Sequence, residues 1–140
     1  MLDPSDVPDV TPEELLARYV VYQSHIRKKD DTLKADAFIP HPHEELSVTR
    51  HREASEDEIW VVGVGVATQR SKILRGRGDV LASVCLAQEL QVIKKPILPD
   101  NPNHADISDW PSDKPAQKLI AQEIAASATF VATPPEAIPQ

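Results

Sequence analysis

From Tyr19 to Ile26 the side chains alternate along an extended chain, Tyr19, Val21, Gln23 and His25 on one side and Val20, Tyr22, Ser24 and Ile26 on the other. Neither side is wholly polar, so the pattern predicts a strand over residues 19–25 inside a sheet covered on both faces. Ahead of it, Thr11-Pro12-Glu13-Glu14 has the residues of a helix start: a capping hydroxyl, a proline at the first helical position and a carboxylate three residues on. A short helix ending near Arg18 is expected there. Behind the strand come the charged turn Lys28-Lys29-Asp30-Asp31 and a second run over 32–39, closed by Pro40 and Pro42. Leu46-Ser47-Val48-Thr49-Arg50 predicts another short strand, with Leu46, Val48 and Arg50 on one side and Ser47 and Thr49 on the other.

Ser55 and Glu58 repeat the helix-start chemistry, while residues 59–66 are β-branched and broken by Gly63 and Gly65, which by propensity favours a strand. The cap decides for a buried helix running to about Gln69. Arg75-Gly76-Arg77-Gly78-Asp79 reads as a turn, 80–87 and 90–93 as two β-like runs, and 94–115 as a long irregular stretch punctuated by prolines. The apolar Ala105 and Ile107 argue that this stretch folds back over the sheet. A helix capped by Ser112 or Asp113 follows over 115–126, then a last strand over 129–132. Together these elements predict a single α+β domain over 11–132, with a mixed or antiparallel sheet and two or three helices. A flexible arm over 1–10 and a proline-rich tail over 133–140 flank it. Trp60, Val61, Val64, Leu86, Val92, Leu119, Ile120, Ile124 and Val131 are the expected core residues.

Composition narrows the picture. A chain of 140 residues is one domain's worth, and 13 prolines against 4 glycines predict long, proline-shaped connections rather than tight turns. A formal charge of −7 argues against general duplex nucleic-acid binding, which needs a basic surface to neutralise phosphates. The single Cys85 can form neither an internal disulfide nor a cysteine-based zinc site, and reads as a small core residue. No apolar run approaches the roughly 20 residues of a membrane span, and the first residues lack a basic and then apolar leader pattern, so a cytoplasmic protein is expected.

No phosphate-binding loop, dinucleotide fingerprint or nucleophile elbow is present; Gly63 and Gly65 lack the third glycine and the strand-to-helix turn, and are read as packing residues. His41-Pro42-His43-Glu44 offers two imidazoles and a carboxylate that His51, or His104 with Asp106, would have to complete for zinc. Exposed loop histidines between prolines are the ordinary outcome, and neither metal nor cofactor is expected. The remaining constellation is Ser24, His25, Arg27, Ser47, Arg50, His104 and Asp106. Ser24, Arg27, Ser47 and Arg50 have the donors to hold a phosphate or carboxylate, and His104 with Asp106 beside it has the groups for proton transfer. Arg27, Arg50 and His104 are expected to line one cavity. The same residues would equally serve as a structural polar network.

The segments Ser24-His25-Ile26-Arg27-Lys28, then Phe38, Leu46-Ser47-Val48-x-Arg50 and Asn101-Pro102-x-His104-Ala105-Asp106-Ile107 resemble a pattern in a group of small uncharacterised bacterial proteins, to which no activity is attached. A narrower likeness sets His25, Ser47 and a late acidic residue beside the His/Arg, Ser and Glu positions of small ADP-ribosyltransferase-like domains. It implies a catalytic part for His25, although here the late residue is Asp106 and not glutamate. The expected function is binding of an anionic ligand, nucleotide-derived ones among the candidates, with hydrolase or transferase activity. The alternative is a non-catalytic interaction subunit or antitoxin-like partner in a bacterial conflict or defence system, docking on a larger protein.

Overall fold

A computed structural model describes residues 6–40 and 45–137. Its frame is one antiparallel sheet of six strands: β1 (Leu15–Val20), β4 (Leu46–Arg50), β5 (Gly76–Leu81), β6 (Gln91–Lys94), β7 (His104–Ser108) and β8 (Thr129–Ala132). They lie in the order β6-β7-β4-β1-β5-β8, while β2 (Ile26–Arg27) and β3 (Thr32–Leu33) form a separate small hairpin. Three helices complete the α+β domain: α1 (Glu56–Gln69), α2 (Ala82–Ala87) and α3 (Lys114–Ser127). No helix among the described residues is long and apolar enough to cross a membrane.

The period of two along β1 explains the layering. Leu16 and Val20 enter a core shared with Phe38, Leu46, Val48, Val80, Ala82 and Cys85 of α2, and Ala121 and Ile124 of α3. Ala17, Tyr19 and Val21 enter a second core with Ile59, Trp60 and Ala67 of α1 and Leu74. A sheet covered on both faces is what the alternation predicts, but the strand sits four residues earlier than expected.

Several expectations are corrected. The helix expected over 11–18 does not form. Thr11 N–H does donate to Glu14 Oε2 at 2.7 Å, half of a capping box, but the chain then runs straight into β1, because burial between β4 and β5 on two faces outweighs one local cap. Residues 23–25, expected as strand, form a 3₁₀ turn (Gln23–His25). Residues 76–79 of the expected turn are the start of β5. Gly76 leaves room for the Phe130 ring, whose Cε1 would lie 2.6 Å from a Cβ there, and Gly78 packs under Leu33 and Phe38. Residues 82–87 are helical rather than β-like, and the stretch 94–115 contains β7, paired with both β4 and β6. The strands at 46–50 and 129–132 and the helices capped by Ser55 and Asp113 form as expected.

Trp60 and Ile124 are buried as expected, and Val64, Val92, Ile120 and Val131 are half-buried. Val61, Leu86 and Leu119 are exposed, because α1 turns inward through Ile59, Trp60, Gly63 and Ala67, α2 through Ala82 and Cys85, and α3 through Ala121, Ile124 and Ala125. Residues 6–10, expected in a flexible arm, lie on the body of the domain. Val7 is buried, and Arg50 donates to the carbonyls of Pro8 and Asp9 at 2.8 and 3.2 Å. In the expected tail, Thr133 Oγ1 donates to the Leu74 carbonyl at 3.0 Å and Ala137 packs against the α1 core.

Candidate functional site

The registered pairing of β1 with β4 covers only Leu16 with Arg50 and Ala17 with Thr49. Beyond it Arg18 reaches between the strands, donating through Nε to the Ala37 carbonyl and through Nη1 to the Ser47 carbonyl, each at 3.0 Å. A cavity of about 490 Å³ lies here, between one side of α1 and the sheet. Its helical wall is the stripe Val61, Val62, Gly65, Val66, Gln69 and Arg70, which the i, i+4 repeat of a helix brings into line. Its other sides are Tyr19, Ser47 and Thr49 on the strands, and Ile97, Asp100, Asn101 and His104 at the entry to β7. The volume falls in the range of about 300–1,000 Å³ that small-molecule sites occupy.

One end of the cavity is cationic. Arg18 is half-buried, and among the described residues no carboxylate lies within salt-bridge distance of it. Burial, and then the charge of nearby Arg70, draw its guanidinium down from the ordinary value to about 10. Arg70 is exposed and lies 5.8 Å from the centre of the Tyr22 ring, which Lys72 also approaches at 5.1 Å.

Next to this end, through Ser47, lies a polar network. Asn101 Nδ2 donates to Thr49 Oγ1 at 3.2 Å. His104 Nδ1 lies 3.0 Å from the Lys95 carbonyl, a contact that requires the proton on Nδ1 and leaves Nε2, in the neutral ring, as an acceptor. Nε2 is 3.8 Å from Asp106 Oδ1, to which Ser47 Oγ donates at 3.3 Å. Asp106 also holds Lys95 Nζ at 3.2 Å, shared with Glu45.

Of the residues singled out in the sequence, Ser47, His104 and Asp106 come together, and Ser47 and His104 line the cavity. The others do not join them. Arg50 falls on the opposite side of β4 and is fully buried; its Nε and Nη2 hold Glu14 at 2.6 and 2.8 Å, while Nη1 is on the Pro8 carbonyl. Arg27, on the small hairpin, donates to the Leu33 carbonyl at 3.0 Å and with Ser24, Lys28, Lys29 and Lys34 lines a different, shallow groove. The expected convergence of Arg27, Arg50 and His104 is therefore wrong. Period two sends Arg50 away from Thr49, and the hairpin lies outside the main sheet. His25 is half-buried with its ring centre 5.0 Å from that of Tyr22. Burial lowers its pKa, with Arg18, Arg70 and Lys34 pushing the same way and Asp36 opposing.

Arg18, Arg70, Thr49 and Asn101 were not singled out in the sequence. Arg18 had a detectable signal, a cation at an interior position of an otherwise apolar alternating run, hidden because residues 11–18 read as a helix. A second network lies on the same face of the sheet. His51 Nε2 is 2.9 Å from Asp79 Oδ1; Arg77 Nε donates to Asp79 and its Nη2 to Glu56.

Among the described residues no group of three or more His, Cys, Asp and Glu side chains is placed to hold a metal ion. His41, His43 and Glu44 lie outside those residues. No protein-family model, no curated protein and no solved structure matches the chain.

Proposed function

We propose that this chain binds an anionic small molecule in the cavity between α1 and the sheet. Arg18 carries this conclusion: it belongs to the cavity lining, and its half-buried guanidinium, bonded to the Ala37 and Ser47 carbonyls but with no carboxylate partner among the described residues, is held at a cost that a bound anion would offset. Arg70 places a second positive charge at the same end. In a chain of formal charge −7 that local reversal of sign concentrates anions. His104 supplies an acceptor nitrogen on another side of the cavity, so the catalytic form of this proposal is a hydrolase or transferase in which His104 takes a proton from a hydroxyl or water beside the anion.

The direct test is thermal unfolding in rising concentrations of phosphate, sulfate and simple organic phosphates. The wild-type Tm should climb with anion concentration, and the climb should be lost in Arg18→Met and reduced in Arg70→Ala. Equal responses in all three proteins would mean that the anions act elsewhere. A second reading, docking on a larger acidic protein, draws on the hairpin, where Arg27, Lys28, Lys29 and Lys34 line one groove. It predicts a complex that salt dissociates and that survives Arg18→Met.

A further inference from the structure

We infer that the ligand of this cavity is an amphipathic anion, one acidic headgroup on an aliphatic body, and that Gly65 is the residue that makes room for the body. This rests on the anion-binding role of Arg18 proposed above and adds what the rest of the ligand is. Helix α1 carries two glycines whose surroundings differ. A Cβ on Gly63 would lie 2.6 Å from Tyr19 Cε1 and 2.8 Å from its Cδ1, so packing excludes any side chain there. A Cβ on Gly65 would meet nothing within 4 Å. Packing therefore does not require Gly65, yet it occupies the interior of a 14-residue helix, where glycine is the weakest former after proline.

Its neighbour along the same stripe, Val61, is 71% exposed. A β-branched apolar residue on an exposed helical surface again goes against local preference, because there propensity and not packing decides. Both exceptions lie on the wall of the cavity, facing a loop where Ile97 is 50% exposed. Departures from local rules that bring the fold nothing are expected at functional positions. An aliphatic body lying over Gly65, between Val61, Val66 and Ile97, accounts for all of them, and Arg18 and Arg70 then receive the headgroup. Among the described residues the apolar lining is valine and isoleucine, with Tyr19 its one phenyl ring and His104 its one imidazole, so an aliphatic chain fits better than a nucleobase seeking rings to stack on.

Titration calorimetry on the full chain tests this with octanoate and octyl phosphate, beside acetate, inorganic phosphate and octanol. The octyl anions should bind at least about tenfold more tightly than acetate or phosphate. Gly65→Leu should weaken the octyl anions by about tenfold or more and leave phosphate unchanged, whereas Arg70→Ala should weaken every anion and leave octanol unchanged. Gly65→Ala should raise the Tm by about 2 °C, because a better helix former replaces glycine in open space. Compact anions binding as tightly as octyl ones, full octanoate binding by Gly65→Leu, or a Gly65→Ala protein less stable than wild type would each overturn the inference and leave the role of Arg18 standing. Octanol binding as tightly as octanoate, or no binding of any probe, would overturn both.

Discussion

Arg18 donates to the carbonyl of Ser47 at 3.0 Å at the place where the registered pairing of β1 with β4 has already ended. Its guanidinium stands in for a stretch of missing ladder, and Arg18 is also one of the residues that line the cavity, so one residue joins the fold to the site. The planar fork reaches the Ala37 and Ser47 carbonyls together through Nε and Nη1, which a single ammonium cannot copy. Arg18→Lys should therefore lower stability by about 1 kcal/mol, the worth of one internal hydrogen bond, in a denaturant titration. A lysine variant as stable as wild type would show that the fork geometry is unimportant.

Glu14 and Arg50 form the pair that ties the 6–10 segment to the sheet. Arg50 is fully buried, so Glu14→Ala leaves a buried cation without its carboxylate and should cost about 3 kcal/mol. Limited proteolysis should then speed up within residues 6–10, whose carbonyls at Pro8 and Asp9 Arg50 now holds.

Acid should unfold the protein through its bonded carboxylates. Burial opposes ionisation of Glu14, but its bonds to Arg50 and Thr11 outweigh this and hold the carboxyl below the ordinary 4.5. Burial likewise opposes ionisation of Asp79, and its bonds to His51 and Arg77 outweigh it, holding the carboxyl below 3.8. A folded-state pKa below the unfolded one means stabilisation that is complete above the unfolded value and lost as pH falls through the folded one. With respect to these groups the Tm should be level above about pH 5 and fall below about pH 4, more gently in Glu14→Gln. A Tm that rises on acidification would contradict these pairings.

Trp60 anchors α1 to the sheet, buried in the second core with Arg77 Cζ 4.6 Å from the centre of its ring. Trp60→Ala should cost about 3–5 kcal/mol. Gly63→Ala should cost about 1–3 kcal/mol, because the new methyl must displace the Tyr19 ring, whose hydroxyl is fixed on the Ile59 carbonyl at 2.6 Å. Equilibrium unfolding of the two variants checks both values, and a stable Gly63→Ala would mean that the Tyr19 ring can move aside.

What could be read from the chain beforehand was decided by whether local and long-range signals agreed. At Ser55 they did: the capping box with Glu58 forms in full, and α1 runs to Gln69 although β-branched residues crowd its middle. At Thr11 the same chemistry misled, because Glu14 serves two partners, the Thr11 amide and the distant Arg50, and only the first is visible locally. Gly76 and Gly78 looked like a turn, since nothing in the sequence says that Phe130 and Phe38 will need their missing side chains. At the site, Ser47, His104 and Asp106 were legible as polar residues at alternating positions, and pairing of β4 with β7 unites them. Arg27 and Arg50 read in the sequence as isolated cations, yet partners far along the chain or in the hairpin already occupy them. Arg18 is hidden because its strand reads locally as a helix.

The most direct measurement follows the Nε–H resonances of the arginines by NMR while octyl phosphate is added to the full chain. Arg18 should shift saturably, with Arg70 following the same curve, while Arg50, closed by Glu14 and the Pro8 and Asp9 carbonyls, stays in place. An Arg18 signal that stays in place at concentrations where Arg27 moves, or where no arginine moves, would contradict an anion site in the cavity between α1 and the sheet.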